Sequence, residues 1–144
     1  KIDIFKAFHG DVPCNSYGLS LQTTGLKEEF KGQNIKMLKK TNPELDVNEL
    51  RNKPFMIYVT DTLSKFFKNE LVYQFPIIMT ECTLLYPEDQ LGSKKHIHWN
   101  DLSKIVESHP DNMFVLFHFS DRYKESDVLK FLTDTKLPNV RPYF

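Results

Sequence analysis

The sequence predicts an α/β domain with layered architecture, and three observations carry that expectation. Residues 55–59, 76–80 and 113–117 are short continuous apolar runs, the pattern of strands buried on both faces. Segments with apolar residues near helical spacing lie between and after them. Each run also ends in a polar cluster, as expected where strands stop at a sheet edge and side chains from neighbouring strands can converge.

The elements follow in order. Residues 2–8 alternate polar and apolar from the first positions, as a strand does, and residues 17–22 repeat that period of two. The polar connection between them, punctuated by Gly10 and Pro13, makes them a candidate hairpin. Residues 23–53 hold six Lys and one Arg among few apolar positions, which predicts a solvated loop, with a short helical turn near 46–50. Beyond the strand at 55–59, Leu63, Phe66, Phe67 and Leu71 recur near helical spacing. A loop through Gly92 follows the strand at 76–80. Asn100 then stands where an N-cap belongs, with Asp101 in the first turn and Leu102, Ile105 and Val106 on one face. The final helix is expected from Glu125 to Thr133 with Val128, Leu129 and Leu132 inward, and the tail runs out through Pro138 and Pro142.

The chain has 144 residues, enough for one domain with a real core. Twelve Phe and six Tyr predict a core rich in aromatic packing. Lys+Arg and Asp+Glu balance at 19 each, so the basic excess of a dedicated nucleic-acid binder is absent. Cys14 and Cys82 are too few and too distant to suggest a disulfide framework or a zinc ribbon, and read as reduced, buried thiols. No apolar run approaches the roughly 20 residues needed to span a bilayer, and no signal peptide is visible. A cytoplasmic protein is the expectation, with nuclear or organellar placement left open. The chain opens inside a strand and without Met, which suggests that it is cut from something longer.

The chemistry lies in the polar clusters Thr60-Asp61-Thr62, Glu81-Cys82-Thr83 and His118-Phe119-Ser120, each directly after an apolar strand. Singly each has a plainer role: a helix-capping Asp, a solvated Glu, a hydrogen-bonded core His. Together, each at a strand end, they read as one site. A fourth cluster, His96-Ile97-His98-Trp99, offers two imidazoles at i and i+2 that either share a metal or divide into one active and one structural residue.

These motifs bring a specific resemblance with them. Residues 57–62 resemble the strand and "GDT" turn of the metallo-β-lactamase superfamily, with Thr60 in place of the usual Gly. Residues 115–123, through His118, Ser120 and Arg122, are similar to the "HFSxRY" motif of its ribonuclease Z-like members. Glu81-Cys82-Thr83 resembles the "EAT" of their "HEAT" motif, with Thr80 for the His and Cys82 for the Ala, and His96 falls where their "HST" histidine does. Phe8-His9-Gly10 with Pro13, Tyr17 and Gly18 resembles their "HGxPSYGY" strand pair. The resemblance covers about residues 2–132.

It implies the C-terminal half of an αββα sandwich spanning residues 1–144. It implies Asp61 as a metal-bridging ligand, His118 as a terminal ligand, and Glu81 paired with His96, the latter as proton donor; His9, His98, Ser120 and Arg122 are secondary candidates. It implies two divalent metal ions, zinc first and Mn or Fe as alternatives. The superfamily's "HxHxDH" loop has no match here, so two ligands would need an N-terminal half or a partner subunit to complete the site. The implied activity is metal-dependent phosphodiester hydrolysis of the ribonuclease Z type, on pre-tRNA or a small phosphodiester. Hydrolysis of another small ester and a non-catalytic scaffold are the alternatives, because fold alone does not decide chemistry. Homodimers are common in the family.

Overall fold

The computed structural model describes residues 1–90 and 95–144; the loop expected through Gly92 falls outside the described residues. A mixed six-stranded sheet and three α-helices make an α/β fold. The strands are β1 (Ile2–His9), β2 (Val12–Leu26), β3 (Asn48–Val59), β4 (Ile77–Glu81), β5 (Met113–Phe117) and β6 (Val140–Pro142). They lie in chain order across the sheet. β1, β2 and β3 pair antiparallel, whereas β3, β4, β5 and β6 pair parallel.

Each parallel step needs a crossover. Two 3₁₀ turns (Ser64–Lys68 and Glu70–Gln74) follow β3, helix α2 (Trp99–Ser108) follows β4, and helix α3 (Glu125–Thr135) follows β5. Right-handed crossovers between sequential neighbours put every connection on one side of a sheet. The core agrees, because buried Phe66, Phe67, Leu102, Val106 and Leu132 from these connections share one cluster with Ile57, Ile78, Phe114 and Leu116.

The opposite face is apolar and largely open. The strand register lines up Ile4, Tyr17, Tyr58, Met79 and Val115 in one row across five strands. A second row on the same face holds Ile2, Leu19, Met56, Ile77 and Met113. Ile4 is 68% exposed and Ile2 64%. Parallel strands are ordinarily covered on both faces, so the exposure of this one is unusual.

Several expectations need correction. The connection expected over 9–16 is only a two-residue turn: Gly10 takes φ +58°, His9 pairs with Val12, and β2 starts at once. Residues 23–53 are not a plain loop. β2 and β3 run past their neighbours, with Leu21–Leu26 paired to residues 48–53 as a two-stranded ribbon. Helix α1 (Ile35–Thr41), capped by the Asn34 side chain on Met37 N–H, lies in its connection. The turn expected near 46–50 is instead largely the start of β3. The helix expected after Leu63 is a pair of 3₁₀ turns, because the Asn69 side chain accepts from Leu71 N–H and restarts the chain; Leu71 is exposed. Leu129 is half exposed, while Val128 and Leu132 face the core. Residues 140–142 form a short parallel edge strand, a position that tolerates Pro142.

Cys14 and Cys82 are both free thiols, the second fully buried. Burial and the neighbouring Glu81 push the Cys82 thiol far above its ordinary range. Among the described residues no helix is long and apolar enough to cross a membrane.

Candidate active site

The site forms where β3, β4 and β5 end side by side. After β3 the chain is tied down residue by residue. Thr60 N–H donates to Ser16 Oγ at 3.2 Å and its hydroxyl to Asn15 C=O at 3.1 Å. Thr62 Oγ1 accepts from Phe8 N–H at 3.0 Å. Asp61, held between them, is one-third exposed and faces the neighbouring strand ends.

Glu81 closes β4 and is fully buried. A buried carboxylate is costly unless its oxygens are hydrogen-bonded, and here they are. Oε1 accepts from Thr62 N–H at 2.9 Å and meets His96 Nδ1 at 3.2 Å. Oε2 accepts from the Thr83 hydroxyl at 2.6 Å and from Thr83 N–H at 3.3 Å.

His118 follows β5 with φ +56°, the left-handed region that a non-glycine residue adopts at a cost. Ser120 N–H donating to Thr83 C=O, and Cys82 N–H to Phe117 C=O, brace the chain on both sides. The His118 Nδ1 lies 3.3 Å from Asp61 Oδ1 and 3.1 Å from Thr83 Oγ1. Its side chain is 46% exposed and that of His96 25%.

His9, at the end of β1, joins the group. Its ring centroid lies 5.0 Å from that of His96, which lies 5.3 Å from that of His118, so three imidazoles stand in a row. His9 Nε2 is buried and has no hydrogen-bond partner among the described residues. Potential ligand atoms of Glu81, His96 and His118 lie within 4.8 Å of one another, as do those of His9, Asp61 and His96.

The other candidates stand apart. His98 is buried, accepts from Asn100 N–H at 2.9 Å and donates from Nε2 to Tyr86 C=O at 2.8 Å. Both ring nitrogens are used, so His98, not Asn100, caps α2, and it cannot share a metal with His96. Arg122 donates to Ser120 Oγ at 3.0 Å and pairs with Asp89 at 2.8 Å. Asp89 also accepts from the Tyr123 hydroxyl, which in turn accepts from Leu85 N–H at 3.1 Å. Ser120, Arg122 and Tyr123 therefore fasten the chain after His118 to the segment after β4. Burial alone would raise the Asp89 carboxyl, but hydrogen bonds from Tyr123, Tyr86 N–H and Arg122 outweigh it and hold the group below the usual range. Burial and the bond to Asp89 push the Tyr123 hydroxyl up to about 12.

Sequence reasoning gave no role to Thr83 or Thr62, whose hydrogen bonds organise Glu81; small hydroxyl residues beside a strand-end carboxylate are the signal that could have found them. No protein-family model and no curated protein matches the chain. Chemically, the arrangement offers oxygen and imidazole donors suited to a divalent cation, together with an imidazole backed by a buried carboxylate and suited to proton transfer.

Proposed function

We propose that this chain carries part of the active site of a metal-dependent phosphodiesterase of the ribonuclease Z type. The observation that carries this reading is the convergence of Asp61, Glu81, His96 and His118 from three strand ends and the loop before α2. The matching motifs and the positive φ of His118 support it, since strained backbone collects at functional sites.

The residues fit a metal in part. Asp61 and His118 would hold it, and the buried Nε2 of His9, without a partner among the described residues, is a further donor. A two-metal site needs more ligands than these. The open apolar face supports a source for them. An aromatic groove of about 460 Å³ on that face, lined by Tyr58, Met79, Phe117, His118, Tyr143 and Phe144, ends at the site itself. A second sheet layer packed there would bring its own side chains to the same edge. That would complete the αββα sandwich, whether the layer belongs to the same chain or to a partner subunit.

When bound, two zinc ions, or Mn or Fe in their place, would activate water and neutralise charge on the attacked phosphate. This chain's residues would do the rest. Asp61 and His118 would hold the metal, and His96, held through Nδ1 by Glu81, would deliver a proton to the leaving oxygen. A non-catalytic scaffold leaves the buried Glu81 and its four contacts unexplained.

The test is an assay of the complete protein with added zinc or manganese on a pre-tRNA bearing a 3′ trailer and on a chromogenic phosphodiester. Cleavage of the first, abolished by chelation, is expected. Absence of hydrolysis of either substrate with every metal would reject the reading, and cleavage of the small diester alone would move it to the small-substrate alternative.

A further inference from the structure

We infer that Thr83 is a positioning residue that, with Glu81, fixes both site histidines in the tautomer carrying hydrogen on Nδ1. The donors and acceptors around the two rings decide the tautomers. The Thr83 hydroxyl has one hydrogen, and the 2.6 Å contact to Glu81 Oε2 takes it. Towards His118 the same oxygen can then only accept. The second neighbour of His118 Nδ1 is a carboxylate oxygen of Asp61, which also accepts. A nitrogen facing two acceptors carries the hydrogen, so the lone pair of the neutral His118 ring sits on Nε2. On the other side of the same carboxylate, His96 Nδ1 meets Oε1, which also accepts from Thr62 N–H. That nitrogen is a donor too, which leaves the lone pair of the neutral His96 ring on Nε2.

One buried carboxylate thus acts on both rings, directly for His96 and, beside the Asp61 carboxylate, through the Thr83 hydroxyl for His118. Ligating and proton-shuttling imidazoles depend on such partners, because the bond at one nitrogen decides which electrons the other presents. Thr83 touches neither substrate nor metal and acts through His118. The assignment of tautomers stands by itself; its consequence for metal binding rests on the function proposed above.

The test is long-range ¹H–¹⁵N correlation of the histidine rings in the metal-free chain in mildly alkaline buffer, for the wild type, Thr83→Val and Thr83→Ser. The wild type is expected to show Nδ1–H for both rings. Thr83→Val, which leaves Asp61 as the one acceptor described at His118 Nδ1, should raise the share of the Nε2–H form of that ring, leave His96 unchanged and weaken zinc binding of the complete protein by about 10- to 100-fold. Thr83→Ser should restore both properties. Hydrogen on Nε2 of either ring in the wild type overturns the inference, and so does a His118 signature unmoved in Thr83→Val. Should Thr83→Val fail to fold, the wild-type spectrum decides alone. Expected tautomers in a complete protein that binds no zinc would reject the proposed function and uphold the positioning role.

Discussion

Asp61 and His118 stand 3.3 Å apart, Oδ1 to Nδ1, although they leave strands separated by β4. The contact forms because β4 ends in Glu81, whose side chain is drawn inward, so the groups on either side meet across its end. Thr83 bridges the same gap from Glu81 to His118. The two residues proposed as metal ligands are therefore neighbours, while the buried Glu81 carboxylate contacts His96 directly and His118 through Thr83.

The backbone at His118 gives a prediction about stability. At φ +56° any residue with a Cβ is strained by roughly 1 kcal/mol, whereas glycine is not. His118→Gly and His118→Ala lose the same side-chain bonds. His118→Gly should accordingly be the more stable of the two by about 1 kcal/mol in urea unfolding, with neither active. A His118→Ala variant as stable as His118→Gly would contradict the left-handed assignment.

Gly18 answers to packing. A Cβ there would lie 2.4 Å from Phe75 Cζ and 2.9 Å from Phe5 Cε2, and these two rings pack edge to face beneath it. Neither ring can retreat into solvent. Gly18→Ala should cost about 1–3 kcal/mol, read from the urea midpoint, while the same change at Gly32, where nothing lies within 4 Å, lacks this packing cost. An unchanged midpoint for Gly18→Ala would mean that β1 and β2 sit farther from Phe75.

The Asp89–Tyr123 clamp should show in the pH dependence of stability. The Tyr123 hydroxyl titrates higher in the folded state than in the unfolded chain, where it is near 10. Its contribution is therefore fully present below about 10 and is lost as pH rises toward about 12. Asp89 is lowered, so its contribution is present above the unfolded carboxylate value and is lost as pH falls through the folded one. Tyr123→Phe should flatten the alkaline loss and, by leaving Leu85 N–H without its partner, lower stability at neutral pH by about 1–3 kcal/mol. Tyr73, raised to about 12 mainly by burial, keeps its own alkaline share. Unfolding curves across that range that superimpose for the wild type and Tyr123→Phe would refute the clamp.

How far the fold was legible follows from where burial falls. β4 and β5 are buried enough to write themselves as apolar runs, and both appear within a residue of expectation. The outer half of β2 pairs only with β3 and is solvated on both faces, so no alternation marks it. Phe66 and Phe67 are both buried in a 3₁₀ turn, where spacing suggested an α-helix that would have turned Leu71 inward. His98 caps α2 through imidazole Nδ1, an acceptor that capping preferences do not anticipate, and this displaced the expected cap to Asn100. In the site, the order of strand-end groups marked Asp61, Glu81 and His118 as candidates and the resemblance added His96; the structure brings these four side chains together. The partnerless nitrogen of His9 and the bridging hydroxyl of Thr83 depend on distances between strands, which no local pattern encodes.

The most direct measurement compares metal content and phosphodiester turnover of the complete protein in the wild type, Asp61→Ala and His96→Ala. Asp61→Ala should lose bound metal and turnover together. His96→Ala should retain its metal and turn over about 10²-fold or more slowly. Full turnover in Asp61→Ala, or wild-type rates in His96→Ala, would contradict the roles assigned to these residues.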